Sequence, residues 1–250
     1  MSSTFSWLND PDNWHGADGI LSRVGEHLQY SAIALGIGAV IAFPLGLLIG
    51  HTRRGSWLVS AANALRALPT IGLLVLLYVI IAPQIHGRGN AVYLIPTEIV
   101  LVLLAIPPIL ANTYAGVQNV DPAVRDAATG MGMTGGQVLG RVELPNALPL
   151  IFSGLRSATL QVIATATIAA YIGLGGLGRF VYDGQASQDF AQRTSGAILV
   201  AALAVVVDFV LATVQRYAVS RGVSGRFSRR AAGPADALGA NVAQVEVAAG

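Results

Sequence analysis

The chain has 250 residues, of which 54% are hydrophobic and 11% charged, whereas soluble domains carry roughly 25% charged residues. This deficit, with a mean hydropathy of +0.62, places the chain among integral membrane proteins. All 15 basic residues are Arg. Without Lys the chain lacks the phosphate-binding residue of a P-loop, so we do not expect it to hydrolyse ATP. The absence of Cys and the scattering of the four His likewise predict no disulfide and no metal site.

Five segments are apolar over the length that a membrane helix requires, about 20 residues for a hydrocarbon core of ~30 Å. They lie at about 28–50, 58–82, 92–116, 149–172 and 195–215. The sequence therefore predicts an all-α polytopic membrane protein with about five transmembrane helices. Its predicted parts are an outer lead-in at 1–27, a transmembrane domain at 28–216 and a disordered cytoplasmic tail at 217–250.

The distribution of Arg predicts the orientation, because cytoplasmic segments of membrane proteins carry an excess of basic residues. With the N-terminus outside, the outer segments contain only Arg23, Arg88, Arg179 and Arg193. The inner segments then contain Arg53, Arg54, Arg125, Arg141, Arg216, Arg221, Arg226, Arg229 and Arg230. The predicted topology is N-terminus outside and C-terminus inside.

Two ionisable residues, Arg66 and Asp208, fall at similar depths in the cytoplasmic halves of the second and fifth segments. A charge at the centre of a membrane helix costs roughly 2.5–3.5 kcal/mol, so such residues usually have partners. We predict that Arg66 and Asp208 form a pair within the bundle. The alternative is that each side chain reaches the inner interface or faces a partner subunit.

Aromatic and acidic side chains are candidates for lining a solute path. Tyrosine faces attract quaternary ammonium groups, and the candidates are Tyr78, Tyr93, Tyr114 and Tyr171. The alternative is that these tyrosines belong to the aromatic belts at the membrane interfaces. Glu98, near the outer end of the third segment, is either a path residue that meets a cationic headgroup or a solvated carboxylate at a helix end.

A cytoplasmic loop at about 117–148 separates the third and fourth segments and contains two helix starts. Asp121 with Pro122 is typical of a helix N-terminus, and Thr134 with Gln137 fits a capping box. We predict two short helices joined at a glycine elbow, with the following boundaries: the first helix ends at Gly130 and Gly132, the second stops at Pro145, and the fourth transmembrane helix opens at Pro149.

The same loop resembles the cytoplasmic loop of permease subunits of bacterial ABC importers, which reads E-A-A-x-x-x-G and then, nine residues later, I-x-L-P. Here the pattern is Asp126-Ala127-Ala128, then Gly132, then Val142-x-Leu144-Pro145, with Asp and Val as the two departures. The resemblance implies the fold of a type I ABC importer permease. It also implies that the loop docks on a cytoplasmic ATPase subunit through Arg125, Asp126, Ala127, Ala128, Gly132, Leu144 and Pro145. The alternative is a small-residue turn that packs only on its own bundle.

Three further stretches, 63–77, 104–122 and 169–184, look like the subfamily that imports osmoprotectants such as glycine betaine, carnitine, choline or proline betaine. Membership implies a multi-pass protein of the bacterial plasma membrane. Its implied partners are two ABC ATPase subunits, an extracytoplasmic substrate-binding protein and a second permease, either a copy or a paralogue. ATP and Mg would be held by the ATPase, with no cofactor on this chain. The alternatives are a permease for methionine or another amino acid, or a stand-alone channel or secondary carrier.

A dinucleotide-binding pattern, G-x-G-x-x-G, occurs at Gly173, Gly175 and Gly178. In nucleotide-binding enzymes this pattern follows a strand and opens a helix inside a soluble βαβ unit. Here it follows an apolar membrane segment, so we expect no nucleotide site. We predict instead a turn at the outer end of the fourth helix, including Gly176, that lies near the outer gate and the docking face of a binding protein.

Overall fold

The computed structural model describes residues 2–85 and 89–219, and every regular element in these ranges is helical. The helices are α1 (Ser2–Asn9), α2 (Ile20–Thr52), α3 (Ser56–Ala64), α4 (Thr70–Ile81), α5 (Ala91–Gln118), α6 (Pro122–Gly130), α7 (Gly135–Val138), α8 (Leu144–Ala166), α9 (Gly178–Ala186) and α10 (Phe190–Ala218). A π-helical segment, Leu139–Glu143, connects α7 to α8. The predicted all-α class is confirmed, whereas residues 220–250 of the predicted tail lie outside the described part of the chain.

Four described stretches are long and apolar enough to cross a membrane: Ile20–Thr52, Ala91–Gln118, Gly135–Ile172 and Phe190–Ala218. A fifth span results if the bent pair α3–α4 is counted as one. The prediction of about five spans is therefore confirmed. The helix that contains the first predicted span begins at Ile20, within the predicted lead-in at 1–27.

The second predicted span, 58–82, is not a single helix. It bends by 90° between Ala67 and Thr70. Leu68 has an extended backbone, with φ −71° and ψ 134°. Pro69 causes this break, because the residue before a proline is sterically driven out of the α conformation.

The start of the fourth span also differs from the prediction, since Pro145 lies in the first turn of α8, Pro149 lies inside α8, and neither interrupts the helical path. The helical path runs without a break from Gly135 to Ile172. The π segment directly before α8 changes the hydrogen-bonding register, which is where a proline without an N–H group is tolerated. In the same turn, Nδ2 of Asn146 donates to the carbonyl of Val142 over 2.7 Å.

The packing of α2 on α5 forms the centre of the bundle, and α8 completes it. Small residues recur on one face of α2 at Gly38, Ala42, Gly46 and Gly50, and all four are buried. A Cβ atom built on Gly46 would lie 2.7 Å from the Cβ of Thr113, and one built on Gly50 would lie 2.7 Å from that of Val117. This small-residue face of α2 is thus in direct contact with α5, as small residues permit between membrane helices.

The bundle has two ends, which carry different features. The loop end contains the last turns of α2 and α5 together with α6 and α7. The turn end contains α1, the first turns of α2, the glycine turn 173–178 and α9. By contrast, α10 covers one side of the bundle, and its most apolar window has no buried residue within the described chain. This leaves the apolar surface of α10 available for lipid or another subunit.

The α2–α5 contact is tested by adding one methyl group. We expect Gly46→Ala to lower the free energy of unfolding in detergent by about 1–3 kcal/mol, because overpacking forces the two helices apart. The matched control is Gly36→Ala, where a built Cβ meets nothing within 4 Å and Ala is favoured over Gly in a helix by up to about 1 kcal/mol. Equal unfolding temperatures for the two variants would contradict this packing.

Candidate functional site: a two-helix loop at one end of the bundle

The local signals of the loop form as the sequence predicts. The side chain of Asp121 accepts a hydrogen bond from the backbone N–H of Ala123 over 2.9 Å and caps α6. The backbone N–H of Thr134 donates to Oε1 of Gln137 over 2.8 Å in the capping box that starts α7. Gly132 lies between the two helices with φ +85°, a conformation that favours glycine. The predicted glycine elbow is therefore present.

One face of α6 is open to another molecule. Asp126 and Ala127 are exposed, whereas Ala128 is 2% exposed and is the one buried residue of α6. Met131, at the elbow, exposes 73% of its surface, and Val124 of α6 exposes 46%. The exposed small and apolar residues form a surface suited to close contact with a second protein.

The other predicted loop residues lie at the base of the loop. Leu144 and Pro145 are half-buried in the first turn of α8. Arg125 turns inward, where its Nη2 donates to the carbonyl of Val117 at the end of α5. Its Nε lies 3.0 Å from Oε1 of Glu143. The sequence patterns missed Glu143, which occupies an unspecified position between Val142 and Leu144, and they gave no signal for its second partner, His51.

Asp208 pairs with Arg156 of α8 and not with Arg66, so the predicted Arg66–Asp208 pair is corrected. Nε and Nη2 of Arg156 donate to the two carboxylate oxygens of Asp208 over 2.9 and 2.8 Å. Gln215 extends this contact, because it accepts from Arg156 over 3.4 Å and donates to the carbonyl of Pro149. The physical reason is that α8 lies beside α10, and a bidentate guanidinium contact satisfies the carboxylate fully.

Arg66 lies in the 3-10 segment next to the break between α3 and α4. Its Nη2 donates to Oε1 of Gln161 on α8 over 3.0 Å. The hydrogen bond thus attaches the bent second span to α8, in place of the predicted ion pair.

The candidate path residues do not converge on one point. Tyr78 stacks on Tyr93, with ring centroids 5.8 Å apart. Tyr171 contacts Tyr182 at the turn end, whereas Tyr114 packs against the α2–α5–α8 core. Glu98 of α5 has both carboxylate oxygens buried, and they have no hydrogen-bond partner among the described residues.

The glycine turn is tightly packed against the start of α2. Gly173 and Gly176 have positive φ values, +102° and +87°. The backbone N–H of Gly176 donates to Oε2 of Glu26 over 2.7 Å, and a Cβ on Gly175 would overlap the same carboxylate. A 3-10 segment precedes the turn, and no strand occurs in the described ranges, so the context of a dinucleotide site is missing.

An open hollow of about 640 Å³ adjoins this end of the bundle. It lies between the lead-in and α9, and its lining includes Trp7, Asp12, Arg23, Arg179 and Asp183. Arg23 pairs with Asp18 and Glu26, and Arg179 pairs with Asp183 over 2.8 Å. The turn end is therefore polar and charged, unlike the apolar sides of the bundle.

Four to five candidate spans with an exposed two-helix loop at one end have the architecture of a polytopic membrane protein. The model of one family, the inner membrane components of binding-protein-dependent transport systems, matches residues 38–224. This chain belongs to that family and is accordingly an inner-membrane protein.

Characterised relatives cover most of the chain. The glycine betaine/carnitine/choline transport system permease protein of Bacillus subtilis is 32% identical over 207 residues, which are 82% of this chain and 91% of that protein. An osmoprotectant import permease protein of Salmonella typhimurium is 35% identical over 205 residues, 82% of this chain and 94% of that protein. A choline transport system permease protein of Bacillus subtilis is 32% identical over 205 residues.

Among solved structures, an inward-facing conformation of the MetNI methionine ABC transporter resembles this chain with a TM-score of 0.67 and 20% identity. The match covers 88% of this chain and 100% of the matched chain there. At that identity the likeness concerns the fold, which is the type I ABC importer permease fold that the loop motif predicted.

The pair of Arg156 and Asp208 is tested by a double-mutant cycle. We expect Arg156→Gln and Asp208→Asn each to lower the unfolding temperature in detergent, because each leaves one charge unpaired. The double variant should recover part of the loss, with a coupling energy above about 0.5 kcal/mol. Arg66→Gln combined with Asp208→Asn is the control and should be additive. Additive losses for Arg156 and Asp208 would contradict the pair.

Proposed function

We propose that this chain is the transmembrane subunit of an ATP-driven importer of quaternary-ammonium osmoprotectants, such as glycine betaine, carnitine, choline or proline betaine. The observation that carries the proposal is the identity of 32–35% to osmoprotectant, choline and glycine betaine/carnitine/choline permeases. The matches cover 90–94% of the length of those proteins. The methionine transporter shares the fold at 20% identity, which is too low to support its substrate.

The loop end faces the cytoplasm in this proposal and docks on an ABC ATPase subunit through the exposed face of α6. Arg53, Arg54, Arg125 and Arg141 lie at this end, in agreement with the excess of basic residues on the inner side of membranes. The ATPase partner supplies ATP and Mg, and the chain itself acts as a permease without hydrolysing ATP. Closure of the ATPase then displaces the loop and shifts the bundle between two access states.

The turn end faces outward and receives the substrate-binding protein and its solute. Its charged hollow and its glycine turn form the surface available to that partner. Glu98 is the candidate contact for a cationic headgroup, because its carboxylate is buried and unpartnered among the described residues. The Tyr78–Tyr93 stack is a separate candidate contact, because aromatic faces attract such a group.

A second permease completes the solute path, as a copy of this chain or a paralogue. Two surfaces suit it: the exposed side of α10 and the exposed side of the α3–α4 pair. Exposed apolar residues on these helices include Trp57, Leu76, Val205 and Phe209. Lipid would cover whatever part of this surface the second permease leaves open.

Uptake into proteoliposomes tests the function directly. With the partner ATPase and binding protein present, we expect ATP-dependent accumulation of radiolabelled glycine betaine that excess choline or carnitine reduces and excess methionine does not. The chain alone should show neither uptake nor ATP hydrolysis. Uptake without the ATPase would favour a channel or a secondary carrier, and inhibition by methionine alone would favour an amino-acid permease.

A variant of the exposed α6 face belongs in the same experiment. We expect Ala127→Arg to abolish co-purification with the ATPase and to reduce uptake at least tenfold, because a long charged side chain prevents close approach. Ala186→Arg, an exposed alanine at the opposite end, is the matched control and should retain the ATPase. Equal recovery of the ATPase by both variants would place the docking surface elsewhere.

A further inference from the structure

Glu143 is a buried carboxylate that joins separate helices at the loop end. The residue is 1% exposed and ends the π segment between α7 and α8. Its Oε2 lies 2.7 Å from Nδ1 of His51, in the last turn of α2. Its Oε1 lies 3.0 Å from Nε of Arg125 on α6. An ionised carboxylate only accepts hydrogen bonds. Nδ1 of His51 is therefore the donor in its hydrogen bond with Glu143.

The two partners extend this contact to the remaining elements of the loop end. Arg125 also donates to the carbonyl of Val117 in the last turn of α5. The opposite edge of the His51 ring faces α7, because a Cβ built on Gly135 would lie 3.3 Å from Nε2 of His51. One carboxylate with two partners therefore connects α2, α5 and α6 and lies beside the start of α7.

Apolar packing provides little attachment for α6, which makes the polar contact important. Ala128 is the one buried residue among the nine of this helix. A buried carboxylate that loses a partner is left with an uncompensated charge, which is strongly unfavourable. Movement of α6 away from α2 would separate Arg125 or His51 from Glu143. The favourable movement is one in which α6 and the end of α2 stay together.

We propose that Glu143 is a positioning residue that clamps the docking helix α6 to α2 through Arg125 and His51. A displacement of α6 then moves the end of α2, and through the glycine contact with α5 it moves the centre of the bundle. This inference rests on the proposed function, since it requires an ATPase that displaces α6. The movement of α6 is then passed to α2 by the side chains of Glu143, Arg125 and His51 rather than by the loop backbone.

Two variants of His51 with nearly the same shape test the clamp. Asn and Leu branch at the same carbon, but only Asn offers an N–H group near the position of Nδ1. In proteoliposomes with the ATPase and binding protein, the quantity measured is solute imported per ATP hydrolysed. We expect His51→Leu to reduce this ratio at least fivefold while solute still stimulates ATP hydrolysis. We expect His51→Asn to stay within twofold of the unmodified chain.

A purely structural role for His51 gives a different result. Uptake and ATP hydrolysis would then fall together in His51→Leu, the ratio would not change, and the proposal would be overturned. Absence of uptake by the unmodified complex would instead overturn the proposed function. That result is distinct from a failure of the clamp, which appears only in the variants. Glu143→Gln keeps the side-chain shape without the charge, and it should reduce the ratio as His51→Leu does.

A second measurement decides the question if His51→Leu does not assemble. The chain contains no Cys, so Leu48→Cys on α2 and Thr129→Cys on α6 accept two spin labels without background. Both positions are exposed, and Thr129 is not among the residues assigned to the docking surface. With labelled permease diluted in unlabelled permease, we expect the same distance between the labels in the nucleotide-free and ATP-bound complexes. A distance that changes between the two states would show that α6 moves independently of α2 and would overturn the clamp.

Discussion

The close contact between α2 and α5 is the constraint on which the rest of the structure depends. Glycine at positions 38, 46 and 50 of α2 allows its backbone to lie against Ala105, Thr113 and Val117 of α5. Side chains larger than hydrogen at these positions would push the helices apart along their whole length. Because the contact runs to the last turns of both helices, it also fixes which groups meet at the loop end.

The polar groups at the loop end follow from this geometry. Nε2 of Gln118 donates to the carbonyl of Gly50 over 3.0 Å, which fixes the ends of α5 and α2 relative to each other. His51, the next residue, then reaches Glu143. The turn end is organised in the same way, because Glu26 in the second turn of α2 holds the N–H of Gly176. Each end of α2 is therefore bound to a segment to which the proposed function gives a role, and α2 connects the two.

Local sequence signals predicted much of this fold, whereas the choice of partners between helices did not follow from them. The caps at Asp121 and Thr134 could be predicted because each is satisfied within three residues along the chain. The partner of Asp208 could not, since hydropathy identifies spans without saying which span lies beside α10. The contact of Glu143 with His51 could not be predicted for the same reason, because the two residues are 92 positions apart in the sequence. Prolines were an uneven guide: Pro69 breaks the second span, whereas Pro145 and Pro149 lie in a helical path that continues.

In the proposed function the loop end faces the cytoplasm and the turn end faces outward, and cysteine labelling in intact cells tests this orientation most directly. The absence of native Cys allows Gly136→Cys to report on α7 and Ser187→Cys to report on the end of α9, both at exposed positions. A Cβ on Gly136 meets nothing within 4 Å. With a membrane-impermeant maleimide, we predict that Ser187→Cys reacts in intact cells and that Gly136→Cys reacts only after permeabilisation. Labelling of Gly136→Cys from outside, with Ser187→Cys protected, would contradict this orientation.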